Sequence, residues 1–282
     1  MTTQRQTVKA VTIAGVDPSG GAGVLADLKT FSALGAYGCG VVCALTAQNT
    51  RAVTGISAVE PAFVKLQLQT LLDDIRLDAA KVGMLGTAAV IAAVSEVLAE
   101  PRQRTELRHR IVDPVMVAKS GDTLLPKPAV AMLREALLPQ ATMITPNLPE
   151  AGILLEARPP ETLTEMRRAA ERLRRLMADD GQRWVLVKGG HLEGDPHDLL
   201  HDGDRMIEYE SARVATRNTH GTGCTLSSAI AALVPQHSDV PSAVAVARRY
   251  LHAAIVAADG LRISRDDVGH GPVHHFHALW RP

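Results

Sequence analysis

Gly221-Thr222-Gly223-Cys224 stands directly before a run of small and apolar residues, Thr225 to Leu233. Successive backbone N–H groups at a helix N-terminus make an anion site, and the helix dipole adds to it. Lys188, freed by Gly189 and Gly190, supplies a mobile positive charge for the same anion. A structural turn is the plain alternative for Gly221 and Gly223. Cys224 shares that helix start, and three roles are open to it. With His220 four residues upstream it makes a conceivable Cys–His nucleophile, its pKa lowered by the helix end. It also suits an acid/base acting on a bound hydroxyl, or a small buried packing residue.

Oxygen donors gather elsewhere. Asn147 and Glu150 follow a strand end at a spacing that sets both at one helix N-terminus. Their oxygens suit Mg²⁺, which keeps several waters; the simpler reading of Asn147 is a helix cap. Asp113, at another strand end, is a second candidate for metal or nucleotide. Gly21-Ala22-Gly23-Val24-Leu25-Ala26 fits G-x-G-x-x-A, but residues 41–48 hold no carboxylate to bind a ribose. The Gly15 to Gly23 loop reads instead as a tight turn or a small-molecule cradle, flanked by Asp17 and Asp27, each suited to bonding a polar ligand or merely to fixing the loop and helix. No G-x-x-x-x-G-K-[ST] occurs. His274-His275-Phe276-His277 has no Cys or carboxylate nearby and reads as packing, not as a metal cluster.

The elements behind these residues alternate. Apolar runs at Val8–Gly15, Gly40–Ala47, Ala79–Val82, Ile111–Val112, Thr142–Thr145 and Trp184–Val187 read as strands. Helical patterns at Val24–Leu34, Pro61–Leu72, Ala88–Ala99, Pro128–Leu138, Leu163–Met177, Thr222–Leu233 and Ser242–Ala258 lie between and beyond them. His197–Leu200 and Met206–Tyr209 suggest a hairpin around Asp202-Gly203. The alternation predicts an α/β fold, a three-layer α/β/α sandwich with a mostly parallel central sheet, over one domain spanning 1–282. Ligands in such folds sit at the carboxyl ends of strands, where the polar and glycine-rich segments fall.

Composition narrows the function classes. Thirty basic residues balance thirty acidic ones and aromatics are 3%. That excludes broad polyanion binding and base-stacking surfaces, so no nucleic-acid partner is expected. Three cysteines, Cys39, Cys43 and Cys224, form no disulfide framework and suit a reduced, cytoplasmic setting. No signal peptide is read in Met1–Gln6, and no apolar run is long enough for a membrane span. The arginines between Arg167 and Arg175, interleaved with Glu165 and Glu171, read as a solvated helix face.

Together the segments Thr12 to Gly23, Ala26-Asp27-Leu28-Lys29-Thr30, Ala47-Gln48-Asn49-Thr50, Val82-Gly83-Met84-Leu85, Thr145-Pro146-Asn147-Leu148-Pro149-Glu150, Lys188-Gly189-Gly190-His191, Asn218 to Cys224 and Gly271 to His277 form a pattern. It resembles the bacterial hydroxymethylpyrimidine/phosphomethylpyrimidine kinases of thiamine biosynthesis, in the ribokinase-like superfamily. Gly-Thr-Gly-Cys is the discriminating form, since sugar kinases of the superfamily place Asp where Cys224 stands. The resemblance implies a ribokinase-like fold, ATP and Mg²⁺ as cofactors, a homodimer, and two successive phosphorylations of an aminopyrimidine. It implies that Gln48, Gly15, Ala22 and Asp27 hold the ring, with Met84 and Val115 on its faces. Asp113, Asn147, Glu150 and Lys188 would surround Mg²⁺ and the ATP phosphates, with Thr219 and Thr222 beside the nucleotide. Gly221 to Gly223 would form the anion hole, and Cys224 would face the hydroxymethyl group. A pyridoxal or pyridoxine kinase is the alternative enzyme. A non-catalytic sensor is a further alternative, disfavoured by the intact set of Gly221, Gly223, Lys188 and Glu150.

Overall fold

A computed structural model describes residues 6–116, 125–190, 192, 194–265 and 268–280. Met1 to Arg5, where no leader was read, and His191 of the Lys-Gly-Gly-His motif lie outside the described residues.

Nine strands form one sheet among the described residues: β1 (Lys9–Val16), β2 (Tyr37–Gln48), β3 (Val53–Ala58), β4 (Ala79–Val82), β5 (His109–Val112), β6 (Met143–Ile144), β7 (Trp184–Lys188), β8 (His197–His201) and β9 (Met206–Glu210). Their order is β3-β2-β1-β4-β5-β6-β7-β8-β9. The six strands from β2 to β7 pair in parallel, while β3 closes one edge and β8–β9 the other in antiparallel register. The chain leaves β1 in one direction to β2 and returns on its other side to β4, so the strand order reverses at β1. A crevice opens beyond the carboxyl ends of strands at such a reversal.

The inner strands read as near-continuous apolar runs because helices cover both faces. On one face α2 (Pro61–Asp74), α3 (Ala88–Ala99) and α7 (Leu163–Arg174) pack over Ile13, Val82, Val112 and Val187. On the other, α1 (Gly23–Ala33), α8 (Thr222–Leu233) and α9 (Val240–Val256) pack over Ala10, Ala79, Ile111 and Leu186. The three layers are those expected. Helix α8 is central: its residues from Thr225 to Leu233 are all buried, which its string of small side chains permits.

Two elements escape the sequence pattern. Strand β3 is exposed along nearly its whole length, so no apolar alternation marks it. Helix α4 (Pro101–Glu106) is too short to show a period. The helix start expected at Asn147 and Glu150 is that of α6 (Leu148–Leu154). The helix expected at Pro128–Leu138 is α5 (Lys127–Met132), followed by a π-helical stretch at Leu133–Leu137 and a short 3₁₀ turn.

Candidate active site

Two loops meet across the end of β1. The first runs from Gly15 to Gly23, and a β-bulge at Cys43 of β2 shifts the partner of Gly15 to Ala44. The second precedes α8. Asp17 joins them: its Oδ2 lies 2.7 Å from His220 Nε2, while its carboxylate also accepts the N–H groups of Ser19 and Ala22. Hydrogen bonds from His220 and Ser19 outweigh burial and hold the Asp17 carboxyl below its ordinary range. Gly221 caps α8 with φ +77°, and a Cβ there would overlap the carbonyl oxygen of Gly21. The glycine is required on both counts.

Between these loops and β4–β7 lies a cavity of about 420 Å³, lined among others by Gly15, Ala22, Gln48, Met84, Val115, Asn147, Glu150, Lys188 and the Thr219–Cys224 segment. Fourteen of the fifteen candidate residues therefore converge on one space, from strands far apart in the chain. A second cavity of about 330 Å³ adjoins it and shares Asn147, Lys188, Thr219, Thr222 and Gly223. Its remaining wall includes Val214, Leu226, Leu251, Ile255, Arg248 and His252. The α8 N-terminus thus stands at the junction of the two cavities.

Asp27 is the exception. It is fully buried outside the cavity wall, and its carboxylate is taken by Thr12 Oγ1 at 2.5 Å, Ser228 Oγ at 2.6 Å and Lys81 Nζ at 2.8 Å. The expected ring contact is corrected to an internal one: Asp27 holds the cation of Lys81. Lys81 itself borders the cavity floor and was not singled out from the sequence. Only its place in an apolar strand next to Gly83-Met84 hinted at it.

The polar centre is Lys188. Its Nζ lies 2.8 Å from Asp113 Oδ1 and 4.0 Å from Glu150 Oε2. Asp113 also accepts from Thr145 and Ser227. Despite burial, the ammonium groups of Lys188 and Lys81 keep Asp113 ionised, below its usual pKa, and Lys188 is raised in return by both carboxylates. Glu150 goes the other way. Burial, aided by the Asp113 charge, pushes it up to about 7. Asn147 and Glu150 form a reciprocal capping box on α6, Asn147 Oδ1 accepting from Glu150 N and Glu150 Oε2 from Asn147 N. The capping reading of Asn147 is thus correct, and its side chain still borders both cavities.

For Cys224 the lowered pKa that the nucleophile reading carries is not found. Burial raises the thiol above its ordinary pKa, although Lys81 and the N–H of Gly23 pull the other way. The Cys–His pair does not form, because His220 is committed to Asp17. The other histidine cluster also holds no metal set among the described residues; His275 is buried near Thr225, which holds it to about 3 and neutral.

A glycine-capped helix N-terminus with a lysine beside it, at the junction of two adjoining cavities, suits phosphoryl transfer, which depends on positioning and charge stabilisation. Comparison with known proteins agrees. The family model described as phosphomethylpyrimidine kinase matches residues 17–274. The hydroxymethylpyrimidine/phosphomethylpyrimidine kinase of Escherichia coli K12 is 50% identical over 97% of this chain and 99% of its own. That of Rhizobium meliloti is 48% identical over 98% and 99%. Among solved structures, a phosphomethylpyrimidine kinase from Clostridium difficile 630 matches with a TM-score of 0.76 and 36% identity, over 88% of this chain and all of that one. A pyridoxal kinase from Bacillus subtilis, in an ADP complex, matches with a TM-score of 0.84 and 32% identity, over 97% and 99%. With its family motifs gathered around one cavity, this chain belongs to the phosphomethylpyrimidine kinase family.

Proposed function

We propose that this chain transfers the γ-phosphoryl group of ATP to 4-amino-5-hydroxymethyl-2-methylpyrimidine, and then phosphorylates the monophosphate to the diphosphate, in thiamine biosynthesis. The observation that carries the reading is the α8 N-terminus with Lys188 beside it, placed between two adjoining chambers. The ring takes the chamber of Gln48, Met84 and Val115. Gln48 offers an amide donor and acceptor to a ring nitrogen and its amino group. The nucleotide takes the second chamber, with Thr219, Thr222 and Asn147 at the junction. Backbone N–H groups of Gly221 to Gly223 and the Lys188 ammonium stabilise the charge of the transferring phosphoryl group.

The residues present also fit Mg²⁺. Such an ion binds through one or two carboxylates plus phosphates and waters. Among the described residues the side-chain cation nearest Glu150 is Lys188 at 4.0 Å, and the reluctance of Glu150 to ionise is what a bound cation relieves. Asp113, engaged by Lys188, Thr145 and Ser227, has less room. Mg²⁺, when bound, supplies charge neutralisation for the nucleotide phosphates. Cys224, partly exposed at the head of α8, faces the acceptor hydroxyl. The first transfer removes a proton from an alcohol, whereas the second uses an oxyanion, so Cys224→Ala harms the first more than the second.

We read the molecule as a homodimer. Leu45, Ile56, Phe63 and Leu66 stand more than half exposed on β2, β3 and α2, beside a sheet edge with unpaired backbone groups. The free cysteines suit a reducing cytoplasm, and among the described residues no helix is long and apolar enough to cross a membrane.

Pyridoxal phosphorylation is the second reading, favoured by the TM-score of 0.84 to a Staphylococcus aureus pyridoxal kinase bound to AMP-PCP and pyridoxal. The deciding experiment measures substrate-dependent ATP consumption side by side with the aminopyrimidine and with pyridoxal. Faster turnover of the aminopyrimidine is expected. Turnover of pyridoxal alone overturns the reading, and no consumption with either leaves a ligand sensor.

A further inference from the structure

Beyond Lys188 the chain enters Gly189 and Gly190, which have no side chains of their own to hold the turn. The last residues paired between β7 and β8 are Lys188 and Asp198. Past that pair a side chain continues the ladder: the N–H of Gly189 donates to Asp198 Oδ1 at 3.0 Å, in a buried contact. The fit leaves no slack, since a Cβ on Gly189 would stand 2.0 Å from the carbonyl oxygen of His197.

Asp198 is itself held from a third element. Arg248 of α9 donates from Nε to Asp198 Oδ2 at 2.8 Å. Its Nη2 donates to Ser211 Oγ at 2.8 Å and to the Tyr209 carbonyl at 3.2 Å, and its Nη1 to the Glu210 carbonyl at 3.4 Å. All three guanidinium nitrogens are thus engaged within the protein, and the Arg248 and Asp198 side chains are 10% and 12% exposed. Accepting one N–H needs only a neutral amide. A carboxylate set against a fixed guanidinium accepts it more strongly and in one orientation.

The consequence falls on Lys188. Its own N–H donates to the Pro146 carbonyl at 2.9 Å, and the next peptide group is tied through Gly189 to Asp198. Both peptides flanking the Lys188 Cα are therefore fixed. Together they set the direction in which the side chain leaves β7 to place Nζ 2.8 Å from Asp113 Oδ1.

We propose that Asp198, clamped by Arg248, is a positioning residue for the Lys188 ammonium, acting through the Gly189 amide. The catalytic consequence rests on the kinase reading above. Lys188 stabilises the transferring phosphoryl group in both phosphorylations, so loosening it slows both alike. Misplacing such a group by about 1 Å costs up to about 100-fold in rate.

The test pairs hydrogen exchange of single amides, read by NMR in the ligand-free protein, with single-turnover and steady-state kinetics. In Asp198→Ala the Gly189 amide should exchange about tenfold faster or more. Amides inside β7 should keep their rates, which separates local release from general loosening. Turnover should fall about 10- to 100-fold, equally in the two transfers, with KM for the aminopyrimidine unchanged. Asp198→Asn, which keeps an oxygen for Gly189, should recover at least half of both losses on a logarithmic scale. If Asp198→Ala does not fold, Arg248→Gln, which frees Asp198 to turn, carries the same expectations. An unmoved Gly189 amide, faster exchange throughout β7, or released exchange with undiminished turnover overturns the proposal. A raised KM for ATP in Arg248→Gln with a quiet Gly189 amide also overturns it, and makes Arg248 a nucleotide contact. Released exchange at Gly189, in a protein whose wild type turns over no pyrimidine, supports the hold on Lys188 and overturns the kinase reading instead.

Discussion

The carbonyl oxygen of Gly21 occupies the space that a side chain on Gly221 would need. Two hundred residues separate the glycines in the chain. Their backbones touch because the Gly15–Gly23 loop and the loop before α8 are stacked at the end of β1, and the Asp17–His220 bond closes the same seam.

Gly221→Ala should therefore displace the whole phosphate loop. The new methyl group collides with backbone and sits at φ +77°. A fall in kcat of about 100-fold or more is expected, comparable to removing one donor of an anion hole, with about 1–3 kcal/mol of lost stability from the strained conformation. Steady-state kinetics with thermal unfolding measure both.

Lys188→Met leaves Asp113 buried without its cation. Breaking a buried pair on one side costs about 3 kcal/mol or more. Activity should fall by about 100- to 1,000-fold. Lys188→Met combined with Asp113→Asn should recover much of the stability and none of the activity, which unfolding curves and turnover assays separate.

Glu150 makes stability depend on pH in an unusual direction for a carboxylate. Its folded pKa, about 7, is above the ordinary 4.5. The stability tied to its protonated form is present below about pH 4.5 and is lost as pH rises through about 7. The ligand-free protein should thus lose stability from this group between about pH 5 and pH 8. Glu150→Gln, which preserves the capping box, should remove that loss. Nucleotide affinity in the presence of Mg²⁺ should rise over the same interval in the wild type and stay flat in the variant. Melting temperatures and nucleotide titrations at several pH values check both.

The ring chamber can be altered without touching the phosphate machinery. Gln48→Ala should raise KM for the aminopyrimidine by about 10-fold or more, as one or two lost hydrogen bonds imply, and leave KM for ATP unchanged. Gly15→Ala places a methyl group 2.6 Å from Met84 Cε. That thioether end is flexible and can swing away, so the fold should survive while ring affinity drops. Separate KM measurements for the two substrates decide.

The dimer face is open to a simple check. Ile56→Arg with Phe63→Glu places charges where two apolar side chains are more than half exposed. A protein of half the wild-type mass in light scattering, with its fold intact, is the expected result.

How much of this was readable beforehand depends on range. Strand ends announced themselves, because Gly15, Asp113-Pro114, Thr145-Pro146 and Lys188-Gly189-Gly190 interrupt apolar runs at the sheet's carboxyl edge. The candidate residues near those ends did converge. What failed was the reading of neighbours that sequence cannot supply. The resemblance gives Asp27 a ring contact, while its place after the glycine loop equally suits fixing loop and helix; helix α1 turns it inward to Lys81, 54 positions away. His220 was paired with Cys224 through closeness in sequence, while its partner is Asp17, 203 positions off. The nucleophile reading of Cys224 lowers its thiol pKa from its place on a helix, but burial, a property of the whole fold, raises it. Strand β3 left no trace because its exposed face and edge position impose no pattern on its residues.

The carboxyl edge of the sheet divides the proposed roles of this enzyme in two. On the proposed reading the ring is held from the ends of β1, β2, β4 and β5, and the phosphates from β6, β7 and the head of α8. Mutation can rework one set while selection holds the other still. A lineage built on this sheet can exchange one hydroxymethyl-bearing heterocycle for another through a few side chains such as Gln48, Met84 and Val115, keeping its phosphate donor throughout.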